Sequence, residues 1–316
     1  MITVKELSKS YGKHLALDGL NFEVPEGQVL GLLGQNGAGK TSLLNLLSGY
    51  LPASRGSIHI GGIDMVKDPL HVRGMIGYLP ENPPLYPEMT VMEYLRFCGE
   101  LKSVDRRDIL PHIEEIAALT GISEVMHRKL SNLSRGFRQR VGLTQALSGA
   151  PKVLLLDEPT SGFDPAQAVA FRGVISRLAR SHTILFSSHI LSEVQAVCDR
   201  VLILHQGRIL YDHLMAQGQD EQPFVRFQLR AAMPRQTLLR ALASLPSVLR
   251  ARPYTLEGSF EEVEVEAKRD SGFERELMTL LSGLQSAILL LKPLEESLEQ
   301  VFLRLTAGSS TEVVAS

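Results

Sequence analysis

Four consecutive apolar residues, Val153 to Leu156, end in two adjacent carboxylates, Asp157 and Glu158, followed at once by Pro159. More than a hundred residues upstream, GQNGAGKT (Gly34 to Thr41) matches the pattern GxxxxGK[ST], with the apolar run QVLGLLG before it and helix-spaced leucines at 43, 44, 46 and 47 after it. Strand, glycine loop and helix in that order form a cradle for phosphate. Glycines at 34, 37 and 39 allow successive amide N–H groups to close around an anion, and the helix adds its positive N-terminal end. Lys40 is expected to bridge β- and γ-phosphates, Thr41 to bind Mg²⁺, and Ser42 to donate to phosphate; Asn36, inside the loop, is counted with them. Asp157 is placed to hold the metal, directly or through water. Glu158 is the candidate base, or water-orienting group, for in-line attack on a γ-phosphorus.

Such chemistry needs a scaffold of parallel strands. VLLLDEP and TILFSSH (Thr183 to His189) are continuous apolar runs separated by a helical stretch at 166–179, the pattern of strands buried on both faces. Before the loop, alternation through Ile2, Val4 and Leu7, and again through Leu20, Phe22 and Val24, predicts an antiparallel β start. Helix formers dominate 91–149, predicting a helical subdomain with helices near 91–101, 108–120 and 135–147.

Beyond these motifs stand NLSRGFRQR (Asn132 to Arg140), SGFD (Ser161 to Asp164) and SSH (Ser187 to His189). With them the chain resembles the ATP-binding subunit of an ATP-binding cassette (ABC) transporter over residues 1 to about 215. The LSRGF string looks like that family's signature motif, in a variant with arginine and phenylalanine in place of glycine and glutamine. It precedes Asp157 by 157 − 134 = 23 residues counted from Ser134, leaving room for a helix. Ser134 and the Gly136 amide would open that helix as an anion site too far from Lys40 in the same chain, and so would meet ATP held by a second cassette. Read without the family, Ser134 is a helix N-cap, which is compatible with that role.

The resemblance carries further expectations. Tyr11 matches the aromatic residue that stacks on adenine, where an isolated Tyr near a turn would otherwise be ordinary packing. His189 matches the switch histidine that senses the γ-phosphate, and Asp164 the loop that crosses the dimer interface, with Phe163 in place of the usual leucine. Glu81, in GYLPEN, stands where the family usually has glutamine; a carboxylate can still face metal and attacking water but adds negative charge beside phosphate. That glutamate form resembles the exporter branch called ABC-2 type. The segment Pro83 to Leu95 is expected to form the groove for a permease helix, with Tyr86, Met89 and Val91 as contacts.

The implied fold is α/β: a P-loop cassette (1–215) with a mixed-sheet core, an antiparallel β subdomain and a helical subdomain at about 82–149. The polar stretch MAQGQDEQP reads as a linker. After it the order strand, helix, strand, strand, helix, strand predicts a small ferredoxin-like α+β domain (222–306), with a last helix at 294–305 and a flexible tail at 307–316. Glu261, Glu262, Glu264 and Glu266 read there as an exposed strand face rather than a metal site.

Composition bounds the class. The 316 residues are 44% hydrophobic and 22% charged, with a formal net charge of −2, which argues against a nucleic-acid binder. Two cysteines without paired spacing, Cys98 and Cys198, suit a reducing compartment and read as small buried hydrophobes. No apolar run reaches the roughly 20 residues of a membrane span, and the residues at 1–17 carry charges throughout, so a cytoplasmic protein held at the inner membrane face by its permease is expected. The expected function is ATP hydrolysis powering a separate permease, as export, through closure and opening of a dimer, with a homodimer expected. The competing readings are a soluble ABC-type ATPase acting on nucleic acid or ribosomes, and a binding module without chemistry.

Overall fold

A computed structural model of the chain describes residues 1–215, 224–254, 261–269 and 271–293, and these fall into two compact units, one up to residue 215 and one from residue 224. The expected last helix and tail lie outside the described residues, as does most of the expected linker.

The first unit opens with β1 (Ile2–Tyr11) and β2 (His14–Val24), a long antiparallel pair whose buried residues Ile2, Val4, Leu7, Leu20 and Phe22 line one face. Then come β3 (Val29–Leu33), α1 (Lys40–Leu47), β4 (Arg55–Ile60), β5 (Ile63–Asp64), α2 (Pro69–Gly74) and β6 (Ile76–Leu79). β4 pairs with β1, giving a four-stranded sheet in the order β2-β1-β4-β5.

The helical subdomain comprises α3 (Val91–Leu101), α4 (Ile109–Thr120) and α5 (Arg135–Leu147). Its helices enclose their own core of Val91, Leu95, Ile113, Val125, Leu130 and Val141. Thr90 starts α3 with a capping box, accepting from the Glu93 amide while Glu93 returns a bond to the Thr90 amide, a device that contributes about 1 kcal/mol.

β7 (Val153–Asp157), α6 (Pro165–Leu178), β8 (Thr183–Ser188), α7 (Leu191–Val197), β9 (Arg200–His205) and β10 (Arg208–Leu214) complete the unit. They build a six-stranded sheet in the order β10-β9-β3-β8-β7-β6, parallel except for β10. Every residue of β3, β7 and β8 is buried, which explains their unbroken apolar composition. Leu33 pairs with Ser188, Asp157 with Ser187 and Leu79 with Leu156, so the loops after β3, β6, β7 and β8 leave from one edge. Ligands of open parallel sheets bind beyond that carboxyl edge.

Two close approaches fix the packing. A Cβ at Gly77 in β6 would lie 2.0 Å from the Ala146 carbonyl oxygen, so α5 can seat on the sheet only over glycine. A Cβ at Gly31 in β3 would lie 2.4 Å from Val194 in α7.

The second unit contains β11 (Phe224–Ala231), α8 (Arg235–Leu242), β12 (Val248–Pro253), β13 (Val263–Lys268), α9 (Phe273–Gly283) and β14 (Ile288–Pro293). Its sheet is antiparallel in the order β12-β13-β11-β14, the ferredoxin-like arrangement expected from the element order. Phe227, Leu229, Val263 and Val265 face Leu238, Phe273 and Leu277 of the helices in its core. Of the four glutamates only Glu261 is exposed, and Glu262, Glu264 and Glu266 are partly buried. Glu264 is largely buried and pairs with Arg252 at 2.8 Å and Arg226 at 3.7 Å, Glu262 accepts from Gln228, and Glu261 accepts from the Arg235 amide. Neighbouring arginines on the sheet face neutralise a row that looks bare when read along one strand.

Candidate functional site

The loop between β3 and α1 owes its path to glycine. Gly37 (φ +83°) and Gly39 (φ +108°) occupy backbone conformations closed to most side chains, and a Cβ at Gly39 would also meet Leu17 at 2.6 Å. Gly34 has no such torsion; there the constraint is space, because a Cβ would lie 2.5 Å from the Leu204 carbonyl oxygen. Asn36 is exposed at the loop's crest.

Lys40 is buried, and its Nζ donates to the Gly34 carbonyl (2.7 Å) and the Gln35 carbonyl (3.3 Å). The same Nζ lies 3.2 Å from Glu158 Oε1, while Glu158 Oε2 lies 2.7 Å from His189 Nδ1. Lys40 of α1 and His189 just beyond β8 thus share the carboxylate that Glu158 presents at the end of β7. Glu158 is held in a left-handed conformation (φ +45°), uncommon for a non-glycine residue and frequent where a catalytic side chain must be aimed.

Ser187 on β8 organises both acids. Its Oγ donates to Asp157 Oδ1 (2.7 Å) and accepts from the Glu158 amide (2.9 Å), and the residue is fully buried. Along the chain Ser187 is only part of the SSH string; parallel pairing of β7 with β8 is what sets it opposite Asp157. Burial pushes the Asp157 carboxyl above the ordinary range, with the Glu158 charge adding to it, while the Ser187 and Thr41 hydroxyls and Lys40 act the other way. Asp157 Oδ2 is buried and has no hydrogen-bond partner among the described residues. An orphaned carboxylate oxygen beside a threonine hydroxyl is the donor set a hard divalent cation takes, so Thr41 and Asp157 fit Mg²⁺.

Tyr11, at the tip of the β1–β2 hairpin, is 44% exposed, and its hydroxyl lies 3.5 Å from Ser42 Oγ, which brings the ring beside the start of α1. Lys9 Nζ sits 5.3 Å from the ring centre. Ser134 caps α5, accepting from the Phe137 amide at 3.4 Å, and is exposed; Gly136, the second residue of the helix, is buried where a Cβ would meet Gln167 at 2.9 Å. Asp164 caps α6 through the Gln167 amide at 2.8 Å. Among the described residues no hydrogen bond joins Ser134 or Gly136 to Lys40, Glu158 or His189 of its own chain.

One expectation needs correction, that of Val91, and Glu81 stands apart from the cluster. Glu81 lies two residues beyond β6, on the correct sheet edge, yet it is exposed and makes no hydrogen bond or ion pair among the described residues, so the chain alone does not draw it into the cluster. Val91 is fully buried in the helical core, because the first turn of α3 points inward, and cannot serve as a surface contact; Met89 is half-buried against the same core, while Tyr86 is 50% exposed and packs edge-on against Tyr94 and Phe97.

Parallel strands with a glycine loop opening a helix, and with acids at the neighbouring strand end, define a P-loop nucleoside triphosphatase. Comparison with known proteins narrows this. The family model described as ABC transporter matches residues 17–161. The ABC transporter ATP-binding protein NatA of Bacillus subtilis (strain 168) is 38% identical over 217 residues, 67% of this chain and 88% of that one. The bacitracin transport ATP-binding protein BcrA of Bacillus licheniformis is 34% identical over 235 residues, 72% of this chain and 75% of that one. A solved ATP-binding subunit of an ABC transporter superposes with a TM-score of 0.62 at 28% identity, covering 68% of this chain and 90% of that one. The chain belongs to the ATP-binding proteins of ABC transporters, and it is an ATP hydrolase of that family.

Proposed function

We propose that this chain binds and hydrolyses ATP at the carboxyl edge of its parallel sheet, as half of a dimer that drives a separate membrane permease in export. The observation that carries the reading is the carboxylate of Glu158 held between Lys40 (3.2 Å) and His189 (2.7 Å), with Asp157 Oδ2 left unpartnered beside it.

The amides of Gly34 to Thr41, including those of Asn36 and the positive-φ glycines 37 and 39, hold the β-phosphate, and Ser42 supports the α-phosphate end. Lys40 releases the loop carbonyls and binds β- and γ-phosphate oxygens. Thr41 and Asp157 hold Mg²⁺, which when bound neutralises charge on the transferring phosphoryl group. Glu158 orients a water molecule and accepts its proton as the water oxygen bonds to the γ-phosphorus and the bond to the β-phosphate oxygen breaks. His189 keeps Glu158 aimed and, through the γ-phosphate, reports its presence. Tyr11 stacks on adenine. Ser134 and the Gly136 amide complete the γ-phosphate site of a second copy, so ATP holds two cassettes together and hydrolysis releases them.

The permease assignment rests on family membership and on the half-exposed aromatic surface of Tyr86 and its neighbours. Export rests on relatives such as the bacitracin transport protein. No helix among the described residues is long and apolar enough to cross a membrane, so in this reading the chain sits on the cytoplasmic face through its partner. Glu81, two residues beyond β6 on the same sheet edge, faces metal and attacking water in this reading. The unit from residue 224 onward acts as an accessory domain.

The test is a Mg²⁺-dependent ATPase assay of wild type and Glu158→Gln, together with co-purification against membrane extracts. Turnover that survives Glu158→Gln would remove the base assignment. Recovery with ribosomes or nucleic acid, and no membrane protein, would remove the transporter reading.

A further inference from the structure

We propose that Arg135 is a positioning residue which, within one chain, ties the start of the signature helix to the turn that carries Glu158; the inference rests on the composite-site reading above. Arg135 is the residue at which the LSRGF string departs from the glycine expected there, and it opens α5 directly after the Ser134 cap. Its Nη2 donates to Ser161 Oγ at 3.0 Å. Independently, its guanidinium lies flat over Gly162: a Cβ at that glycine would meet Nη1 at 2.7 Å, Cζ at 2.8 Å and Nε at 2.9 Å, and Gly162 itself has φ +76°.

Ser161 is joined in turn to the acid. Its amide donates to the Glu158 carbonyl at 3.0 Å, closing the turn whose first residue is Glu158 at φ +45°. Two hydrogen bonds therefore lead from the Glu158 peptide to the N-terminus of α5. The helix end is also gripped elsewhere. Arg138 donates to the Leu133 carbonyl at 2.6 Å, and Gly136 abuts Gln167, on the helix that Asp164 caps just after the tied turn. A shift of Glu158 in one nucleotide site is thereby passed to Ser134 and Gly136, the groups that serve the other site.

A planar guanidinium lying on a glycine Cα cannot be imitated by lysine, which brings the charge without the flat face. That difference makes the tie testable in the full-length chain by steady-state ATPase kinetics of Arg135→Ala, Arg135→Lys, Ser161→Ala, Ser161→Thr and the Arg135→Ala/Ser161→Ala double variant, each with a melting curve. Arg135→Ala, Arg135→Lys and Ser161→Ala should each lower kcat about five- to tenfold with KM for ATP changed less than about twofold, and the double variant should be no slower than the slower single one. Ser161→Thr, which keeps the hydroxyl, should turn over like wild type. Losses that multiply in the double variant would overturn the tie. So would full activity in Arg135→Lys, which means charge alone matters, or a raised KM at unchanged kcat, which means Arg135 touches phosphate directly. If Arg135→Ala melts out, Arg135→Lys and Ser161→Ala decide the outcome. Glu158→Gln is run alongside: turnover surviving that change defeats the ATPase reading, whereas its loss together with multiplying Arg135 and Ser161 effects defeats only the tie.

Discussion

Lys40 and Glu158, from α1 and the end of β7, face each other at 3.2 Å with side chains only 6% and 11% exposed. In the proposed reaction phosphate engages Lys40 and water engages Glu158, so on that reading ATP binding competes with an internal ion pair.

Glu158→Gln should consequently act in two directions. Loss of the proton acceptor should reduce turnover by about 10²- to 10⁴-fold. Loss of a negative charge beside the γ-phosphate should tighten ATP binding about fivefold, because Lys40 no longer leaves a partner behind. Equilibrium binding of ATP and single-turnover hydrolysis on the same preparation measure both, and weaker binding would contradict the competition.

Lys40→Met removes one side of that pair and leaves a carboxylate buried with only His189 on its other oxygen. Breaking such a pair typically costs about 3 kcal/mol, so this variant should unfold at lower denaturant besides losing ATP binding. Adding Glu158→Gln should recover much of the stability and none of the ATP affinity. Denaturant titrations of the two variants check this; equal midpoints would mean that the pair carries no structural weight.

Ser187→Ala removes one hydroxyl that serves two acids, the donor to Asp157 Oδ1 and the acceptor for the Glu158 amide. An unsatisfied buried amide costs about 1–3 kcal/mol. Stability should fall by that amount, and the concentration of Mg²⁺ needed for half-maximal activity should rise, since Asp157 loses the contact that orients it. Ser187→Thr should keep most of both. A metal requirement unchanged in Ser187→Ala would show that Asp157 is aimed by other contacts.

Much of this arrangement is legible along the chain. The helices at Val91–Leu101 and Arg135–Leu147 have the bounds their apolar spacing predicts, and the strand, loop and helix around Lys40 follow from glycine and leucine positions alone. What escapes is what depends on distant partners. β4 joins β1, and β9 flanks β3, with no local pattern announcing either pairing. Ser187 becomes important only because β8 lies beside β7, and Gly77 only because α5 crosses β6 at the Ala146 carbonyl. Val91 looks like a surface contact in sequence because its segment is a loop entering a helix; the capping box at Thr90 turns it inward. Charge on Glu264 reads as exposed until arginines from two other strands are set beside it.

Gly77→Ala follows from the second of those cases. A methyl group 2.0 Å from a backbone oxygen cannot be absorbed by a side-chain rotation, so α5 or β6 must shift. The expected loss is about 2–3 kcal/mol, as for overpacked cores. Because β6 runs toward Glu81 and α5 starts at the signature motif, ATPase activity should fall as well. Denaturation midpoints and kcat measured together test the point, and a neutral substitution would contradict the packing.

Both thiols should resist modification. Cys98 and Cys198 are buried, and burial raises each thiol above its ordinary value, so the thiolate that reacts is scarce at pH 8. Below the raised values the groups stay protonated, and reactivity should grow only well above pH 9 or on unfolding. A thiol reagent at pH 8 should label the native protein slowly and the denatured protein at two sites; rapid labelling of the native protein would refute the burial argument.

The fragment 1–215 should fold and bind ATP without the rest. Each of the three sheets is drawn wholly from one unit, and the antiparallel strands β1, β2 and β4 close over their own core with α1 and the parallel sheet. Strand pairing is therefore not broken by a cut after residue 215. The relative NatA points the same way, since two thirds of this chain (67%) accounts for 88% of that protein. A cooperative melt and an ATP affinity within about threefold of the full chain are expected for the fragment, because every residue assigned to the nucleotide lies between Tyr11 and His189. Aggregation of the fragment in the presence of nucleotide, with the full chain soluble under the same conditions, would mean that the unit from residue 224 onward completes the cassette's fold and is more than an accessory to it.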